Sequence, residues 1–133
     1  MKWKTLVYAM SLALLFVGCQ SDDDGITTQN PNIEGDWNLV EVSGGLLGTE
    51  DTFDTGLILW NFADRKLEVT NRNTDPEAID LYETGMYNFG FDMTSIPLTL
   101  TIGDATYTID TFTDNELTLD DRVADGYFIR LIR

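Results

Sequence analysis

Apolar and polar residues alternate with a period of two along most of the chain from Ile33 onward. In Pro97–Ile102, for example, every second residue is Leu or Ile, and the residues between them are threonines. This is the period of a β-strand with one buried face, and Gly, Asp, Asn or Pro marks the ends of most such segments. Helical spacing is weak everywhere and is best at Asp75–Leu81. The predicted strands are Gly35–Ser43, Leu57–Phe62, Lys66–Thr70, Glu83–Phe91, Pro97–Ile102, Thr106–Phe112, Glu116–Leu119 and Tyr127–Ile132.

The connections between these strands indicate how they pair. Most are too short for the crossover that a parallel pair requires, so consecutive strands are expected to form antiparallel hairpins. About eight such strands favour an all-β, up-and-down β-barrel, because closure removes exposed sheet edges. A β-sandwich is the alternative.

Two connections are long for hairpins, Gly44–Gly56 and Asn71–Tyr82, and the weak helical spacing falls in the second. Long loops at a barrel mouth usually carry binding. The first contains Leu46, Leu47 and Phe53. It is expected either to cover the barrel mouth as a lid or to pack back onto the barrel end.

The N-terminal residues have the layout of a secretory signal peptide. Lys2 and Lys4 precede an apolar run from Thr5 to Gly18, which is shorter than the roughly 20 residues that span a membrane. A buried core helix is the alternative, but the charge asymmetry favours an export signal.

The end of this run, Phe16-Val17-Gly18-Cys19, resembles the lipobox of bacterial lipoproteins, although Phe16 stands where that motif usually has Leu. The resemblance implies cleavage after Gly18 and acylation of Cys19. Several acyl chains exceed the two signals that stable anchoring requires. We therefore expect a lipid anchor in a membrane.

Ser21, Asp22, Asp23 and Asp24 follow this cysteine closely. The run resembles the surface-export signal that one group of Gram-negative bacteria places after the lipidated cysteine. That resemblance implies the outer leaflet of the outer membrane, facing the medium, whereas an acidic solvated linker is the alternative. The predicted organisation is a signal peptide over 1–18, a lipidated acidic tether over 19–32 and a β-barrel domain over 33–133.

The first strand opens with Gly35-Asp36-Trp37, and the chain ends close to two basic residues, Arg130 and Arg133. A G-x-W entry into the first strand resembles the lipocalin family, and the likeness extends over nearly all of 33–133 to short lipocalin-like lipoproteins of Gram-negative surfaces. It implies that Gly35 and Trp37 form a structural signature in which Trp37 closes one end of the barrel. Arg130 or Arg133 would then lie across the indole as a cation–π partner. The same signature also opens a small β domain of heat-shock-associated secreted proteins.

The composition excludes several classes of function. The 133 residues include 8 basic and 23 acidic side chains, one Cys and no His, for a net charge of −15. Removing residues 1–18 takes away two lysines and no acid, so the net charge becomes −17. Such a chain has no basic face for nucleic acid, and without His its serines lack the usual catalytic base. We expect a non-enzymatic protein with no cofactor and no nucleic-acid partner.

One acidic segment raises the question of a metal. Asp120, Asp121 and Asp125 supply the oxygen ligands that Ca²⁺ prefers. The favoured interpretation is a turn in which Asp side chains cap the backbone and Gly126 takes a positive φ. No metal site is therefore expected.

Aromatic residues are the most informative uncharged feature. Trp60 and Phe62 share one strand face, and Tyr87, Phe89 and Phe91 share another. They are expected either to line a ligand pocket or to fill the barrel core. The leading hypothesis is a surface-anchored lipocalin-like lipoprotein that binds a small, partly apolar ligand. The alternative is an interaction module or accessory subunit that docks to another outer-membrane protein.

Overall fold

A computed structural model describes residues 32–133. The predictions for the signal peptide, Cys19, Ser21 and Asp22–Asp24 lie outside the described residues. The elements in chain order are β1 Gly35–Gly44, β2 Thr49–Thr52, β3 Ile58–Ala63, β4 Lys66–Asn71, β5 Gly85–Asp92, β6 Thr99–Ile102, β7 Ala105–Phe112, β8 Glu116–Asp120, a 3₁₀ turn Arg122–Ala124 and β9 Tyr127–Ile132.

The strands close into an up-and-down barrel. From β3 to β9 each strand pairs antiparallel with the next, and β1 pairs with β3 on one edge and with β9 on the other. Eight strands thereby form a closed ring, and β2 is an extra strand beside β1. The predicted antiparallel barrel is confirmed, and the β-sandwich alternative is wrong because no edge is left between β1 and β9.

Two local features differ from the sequence prediction. The strand β2 was not predicted. Its sequence, Thr-Glu-Asp-Thr, contains no apolar residue and therefore shows no alternation of apolar and polar positions. The helix suggested by the spacing in Asp75–Leu81 is absent from the described chain, which has a turn there instead. Ala78, Ile79, Leu81 and Tyr82 all pack against the core from this loop. Their spacing imitates that of a helix face.

The barrel has two poles with different contents. Asn32 and Arg133 lie at one pole, together with segments 64–65, 93–98 and 113–115, and we call it the terminal pole. The other carries segments 45–57, 72–84, 103–104 and 121–126, and we call it the loop pole. All the long connections except 93–98 therefore gather at the loop pole.

The core lies inside the ring and follows the predicted alternation. Burying such side chains stabilises the fold by about 1.5–3 kcal/mol each, as an upper estimate. The fully buried large side chains are Trp37, Leu39, Ile58, Trp60, Phe62, Leu67, Leu100, Ile102, Leu117, Leu119, Ile129 and Leu131.

Candidate functional site

The five aromatic residues predicted as ligand contacts all point into the barrel. Trp60 and Phe62 are fully buried, whereas Tyr87, Phe89 and Phe91 are half-buried. The rings of Phe62 and Phe89 meet edge to face at 5.0 Å and 85°. Such tilted contacts are typical of close-packed aromatic cores. The structure therefore brings Phe62 of β3 and Phe89 of β5 into direct contact inside the barrel.

Tyr82 was missed by the sequence analysis, and it covers this aromatic wall from the 72–84 loop. Its ring lies 5.3 Å from that of Trp60 and 5.0 Å from that of Tyr87, both edge to face. Because Tyr82 lies outside any strand, no period of two could assign it to the interior. Leu81 beside it has φ 66°, a left-handed conformation that a bulky residue adopts rarely. The 72–84 loop therefore packs over the aromatic wall through Tyr82.

A polar pair lies beneath this loop. The hydroxyls of Tyr82 and Tyr107 are 2.7 Å apart and share a hydrogen bond. Burial raises the pKa of the Tyr82 phenol well above its ordinary value, and the bond to Tyr107 acts in the same direction. Burial also raises the pKa of Tyr107. Both phenols therefore stay protonated at neutral pH and serve as neutral donors and acceptors.

The indole Nε1 of Trp60 differs from the other buried side-chain polar atoms of the described chain. It is buried and has no hydrogen-bond partner among residues 32–133. Nε1 of Trp37 differs, since it donates to the carbonyl of Ile33 at 2.7 Å. A buried donor without an acceptor is unfavourable by about 1–3 kcal/mol. Trp60 is thus the interior position best suited to receive an acceptor from a bound molecule.

Gly35, Trp37 and Arg133 lie together at the terminal pole. Arg133 lies across Trp37, its guanidinium 4.0 Å from the ring centroid. Arg130 does not, because its Nε donates to Glu116 at 2.6 Å. Gly35 has φ 109°, a conformation that favours glycine. Of the two arginines considered as partners of Trp37, Arg133 is therefore the one in contact, and Arg130 is not.

An apolar groove opens at the loop pole. It has a volume of about 290 Å³ and is lined by Gly45, Leu46, Leu47, Thr49, Ile79 and Tyr127. Leu46 is 83% exposed and Leu47 is 88% exposed. Phe53, by contrast, is buried. The long first connection therefore packs back onto the barrel through Phe53, while its tip projects the two leucines into solvent.

The tip of this hairpin is fixed against the β8–β9 loop. The amide of Gly45 donates to the carbonyl of Gly126 at 2.9 Å. A Cβ on Gly44 would lie 2.7 Å from that same oxygen, and one on Gly45 would lie 2.9 Å from the Tyr127 ring. The β8–β9 loop also projects Val123, which is fully exposed. Leu46, Leu47 and Val123 thus lie on two segments held together by backbone contact, and we call them the apolar patch.

The acidic turn after β8 holds its own carboxylates. Asp120 accepts from Nε of Arg122 at 3.0 Å, and this contact lowers the pKa of the carboxyl. Asp121 accepts the amide of Tyr127. Within the described residues no group of three His, Cys, Asp or Glu side chains is arranged to hold a metal ion.

One detail of that turn is corrected. The positive φ falls on Asp125, at 58°, and not on Gly126. Gly126 is required for a different reason, because a Cβ there would overlap the carboxylate and the carbonyl of Asp121.

Charge is distributed unevenly between the poles. Segments 45–57, 72–84, 103–104 and 121–126 of the loop pole carry ten acids and two arginines. The terminal pole carries three acids and two arginines in segments 32–34, 64–65, 93–98 and 113–115 together with Arg133. The ten are Glu50, Asp51, Asp54, Asp75, Glu77, Asp80, Glu83, Asp104, Asp121 and Asp125. The apolar patch therefore lies at the more acidic pole of the barrel.

The described serines show no catalytic pairing. The Ser43 hydroxyl donates to Glu41 at a long 3.4 Å, and that of Ser95 donates to the carbonyl of Asp92 at 3.2 Å. Neither contact joins a nucleophile to a base that a third group orients.

Residues 32–133 contain no helix of the length and apolarity that a membrane crossing needs.

Comparison with known proteins bears on the fold. No family model matches the chain, and no curated protein sequence matches it. An uncharacterized protein from Bacteroides eggerthii DSM 20697 shares the architecture with a TM-score of 0.51 and 12% identity, over 77% of this chain and 100% of that one. A lipocalin-like protein from Bacteroides uniformis ATCC 8492 has a TM-score of 0.49 and 12% identity, over 75% of this chain and 96% of that one. The fold is a closed, eight-stranded antiparallel barrel with one additional strand.

Proposed function

We propose that this chain is a surface-anchored lipoprotein whose barrel is a non-catalytic docking module. The observation that carries the proposal is the apolar patch, in which Leu46, Leu47 and Val123 are 83%, 88% and 102% exposed. Isolated exposed apolar residues are ordinary, but these three lie on two adjacent loops at one pole of the barrel, and such grouping is typical of an interaction site. Inside the barrel the rings of Trp60, Phe62 and Phe89 pack edge to face, which favours docking at the surface over uptake into a large cup.

Charge narrows the chemistry of the partner. The loop pole has ten acids against Arg72 and Arg122, and Arg122 is already paired with Asp120. A partner surface of the same sign would be repelled, and a basic one would be attracted. We therefore expect another outer-membrane protein that presents an apolar contact surrounded by Lys or Arg.

Photo-crosslinking in intact host cells tests this proposal. A photoreactive residue replaces Leu47, and the matched control replaces Met86, which is 63% exposed on the outer face of β5. We expect one discrete adduct from position 47, none from position 86, and loss of the adduct when Val123→Ser is added. High salt should weaken the adduct, because exposed charges are screened. Equal labelling from both positions would contradict docking at the apolar patch.

Binding of a small, partly apolar ligand is the second candidate function. The observation that favours it is Trp60 Nε1, a buried donor without an acceptor in the described chain, beside the Tyr82–Tyr107 hydroxyl pair of the barrel mouth. A ligand that offers one acceptor and an apolar body would complete this environment. Access requires movement of the 72–84 loop, since the Tyr82 ring covers Trp60.

Native mass spectrometry of the protein purified from its host tests ligand binding. A retained ligand would appear as a defined mass above that of the acylated chain. Trp60→Phe, which removes the donor and keeps a ring, should release it, whereas Trp37→Phe should not. An unchanged mass in the unsubstituted protein would rule out tight interior binding.

The anchor itself follows from the lipobox resemblance at Cys19. Incorporation of radiolabelled palmitate, and its loss in Cys19→Ala, is the expected result. Replacement of Asp22, Asp23 and Asp24 by Ala should leave the protein acylated but protected from protease added to whole cells. Continued labelling of Cys19→Ala would overturn the anchor, and unchanged protease sensitivity would overturn the export signal.

A further inference from the structure

The terminal pole carries an exposed apolar loop of its own. Segment 93–98 has no charged residue, and within it Ile96 is 99% exposed and Met93 is 48% exposed. These side chains lie outside the core, so their burial does not stabilise the barrel. One exposed isoleucine is ordinary in itself, and its significance depends on where it lies.

The loop is held in one shape by the residue before it. Asp92 Oδ1 accepts hydrogen bonds from the amides of Thr94 and Ser95 at 2.8 and 3.2 Å and from the Thr94 hydroxyl at 2.7 Å. The Ser95 hydroxyl donates in turn to the Asp92 carbonyl at 3.2 Å. These contacts fix the turn at Thr94 and Ser95, directly before the exposed Ile96. The loop therefore projects its apolar tip away from the end of the barrel.

The position of the loop relates it to the anchor. Asn32, where the described chain begins, lies at the same pole, because Arg133 donates to its carbonyl at 2.5 Å. The chain between Cys19 and Asn32 can extend to about 45 Å at most, which is long enough for either pole to face the membrane. The length of the tether alone therefore leaves the orientation of the barrel open.

Charge decides between the two poles. The terminal-pole segments carry Glu34, Asp64 and Asp114 against Arg65 and Arg133, and Asp92 at the base of the loop brings the net charge to −2. The loop-pole segments carry ten acids against two arginines. An anionic lipid surface repels the second far more strongly than the first. Of the two exposed apolar tips, only that of segment 93–98 can approach such a surface without a large opposing charge.

We propose that the loop 93–98 is a membrane-contact site, in which Ile96 and Met93 enter the lipid interface and hold the barrel with its loop pole facing outward. The contact adds a weak apolar attachment to the strong one supplied by the acyl chains. It rests on the proposed anchoring at Cys19. It also explains how the apolar patch would stay available to a partner rather than lying on the membrane.

Tryptophan reporters on the full acylated chain test the orientation. Ile96→Trp is the probe, and Leu47→Trp is the matched variant at the opposite pole. Both positions are highly exposed, so neither substitution should alter the fold. Each protein is reconstituted in vesicles of phosphatidylcholine brominated in its acyl chains, with a fraction of phosphatidylglycerol. The constant signal of Trp37 and Trp60, both fully buried, is subtracted using the unsubstituted protein.

The expected result is a blue shift and loss of emission from Trp at position 96, with neither change at position 47. Quenching at position 47, or equal quenching at both, would overturn the proposed orientation. Absence of quenching at both positions in protein that still floats with the vesicles would overturn the membrane contact and leave the anchor intact. Failure to float would overturn the anchor, and the contact with it.

Discussion

Gly126 offers a direct test of how the β8–β9 loop is built. A Cβ at this position would lie closer than 3.0 Å to the carboxylate and the backbone carbonyl of Asp121, a separation that real Cβ atoms essentially never show. The carboxylate also accepts the amide of Tyr127, so it cannot rotate away without losing that bond. Gly126→Ala must therefore move the backbone, the hydrogen bond, or both.

The size of the effect follows from these two contributions. Inserting a methyl group into a close-packed site destabilises a protein by about 1–3 kcal/mol. Asp121 is half-buried, so solvent moderates the loss of its hydrogen bond. The total destabilisation by Gly126→Ala is therefore expected to stay within that range. For a domain of about 100 residues, each kcal/mol lowers Tm by about 4–8 °C.

Urea unfolding of the barrel, with Gly90→Ala as the control, is the assay. Gly90 lies in β5 without a positive φ, and a Cβ added there would have no atom within 4 Å. Alanine there should stabilise the strand by about 0.5–1 kcal/mol, because glycine gains more conformational freedom on unfolding. The two glycine substitutions are thus expected to have opposite signs. If Gly126→Ala unfolds at the same urea concentration as the parent protein, the close packing of this loop is refuted.

Two further predictions concern the poles of the barrel. Arg133→Gln should lower the free energy of unfolding by about 0.5–2 kcal/mol through loss of the contact with Trp37. Arg130→Gln removes an exposed ion pair and should change the free energy of unfolding by about 0–1 kcal/mol. Equal losses in urea unfolding would contradict the assignment of Arg133 as the partner of Trp37. Tyr82→Phe should lower the free energy of unfolding by about 0.5–1.5 kcal/mol through loss of the hydrogen bond to Tyr107. Because burial raises the pKa of Tyr82 in the folded state, its contribution is complete below the unfolded value of about 10 and declines as pH rises above it. Ultraviolet titration of tyrosine ionisation should show one tyrosine that ionises well above pH 10 in the folded protein and that is missing from Tyr82→Phe; ionisation of all tyrosines near pH 10 would contradict this.

The sequence predicted the eight barrel strands and their order, because each strand has one buried and one wet face and therefore a visible period of two. Trp37, Leu100 and Ile109 illustrate this, since each falls on the inward side of its strand and is buried. The prediction failed for β2. This strand pairs with residues 41–44 of β1, the part of that edge of β1 that β3, paired with residues 35–38, leaves free. That choice depends on the whole barrel and not on the residues Thr49–Thr52.

The candidate site was harder to predict for a related reason. Tyr82 lies in a loop, and its contacts with Trp60 and Tyr107 join positions separated by 22 and 25 residues. The C-terminal arginine was narrowed to two positions by resemblance, but only the geometry places Arg133 on Trp37. Contacts made by loops across a barrel end carry no local repeat, and a pattern along the chain cannot reveal them.

The division between the two poles connects the fold to the proposed function. In the ring, apolar residues face inward and stabilise the barrel, whereas Leu46, Leu47 and Val123 are almost entirely exposed and bury little surface on folding. Replacing one of them with Ser should therefore leave the free energy of unfolding almost unchanged. Loss of a crosslinked partner without loss of stability would separate docking from folding. If these substitutions instead destabilised the barrel, the apolar patch would be part of the fold, and the argument for a docking module would lose its main support.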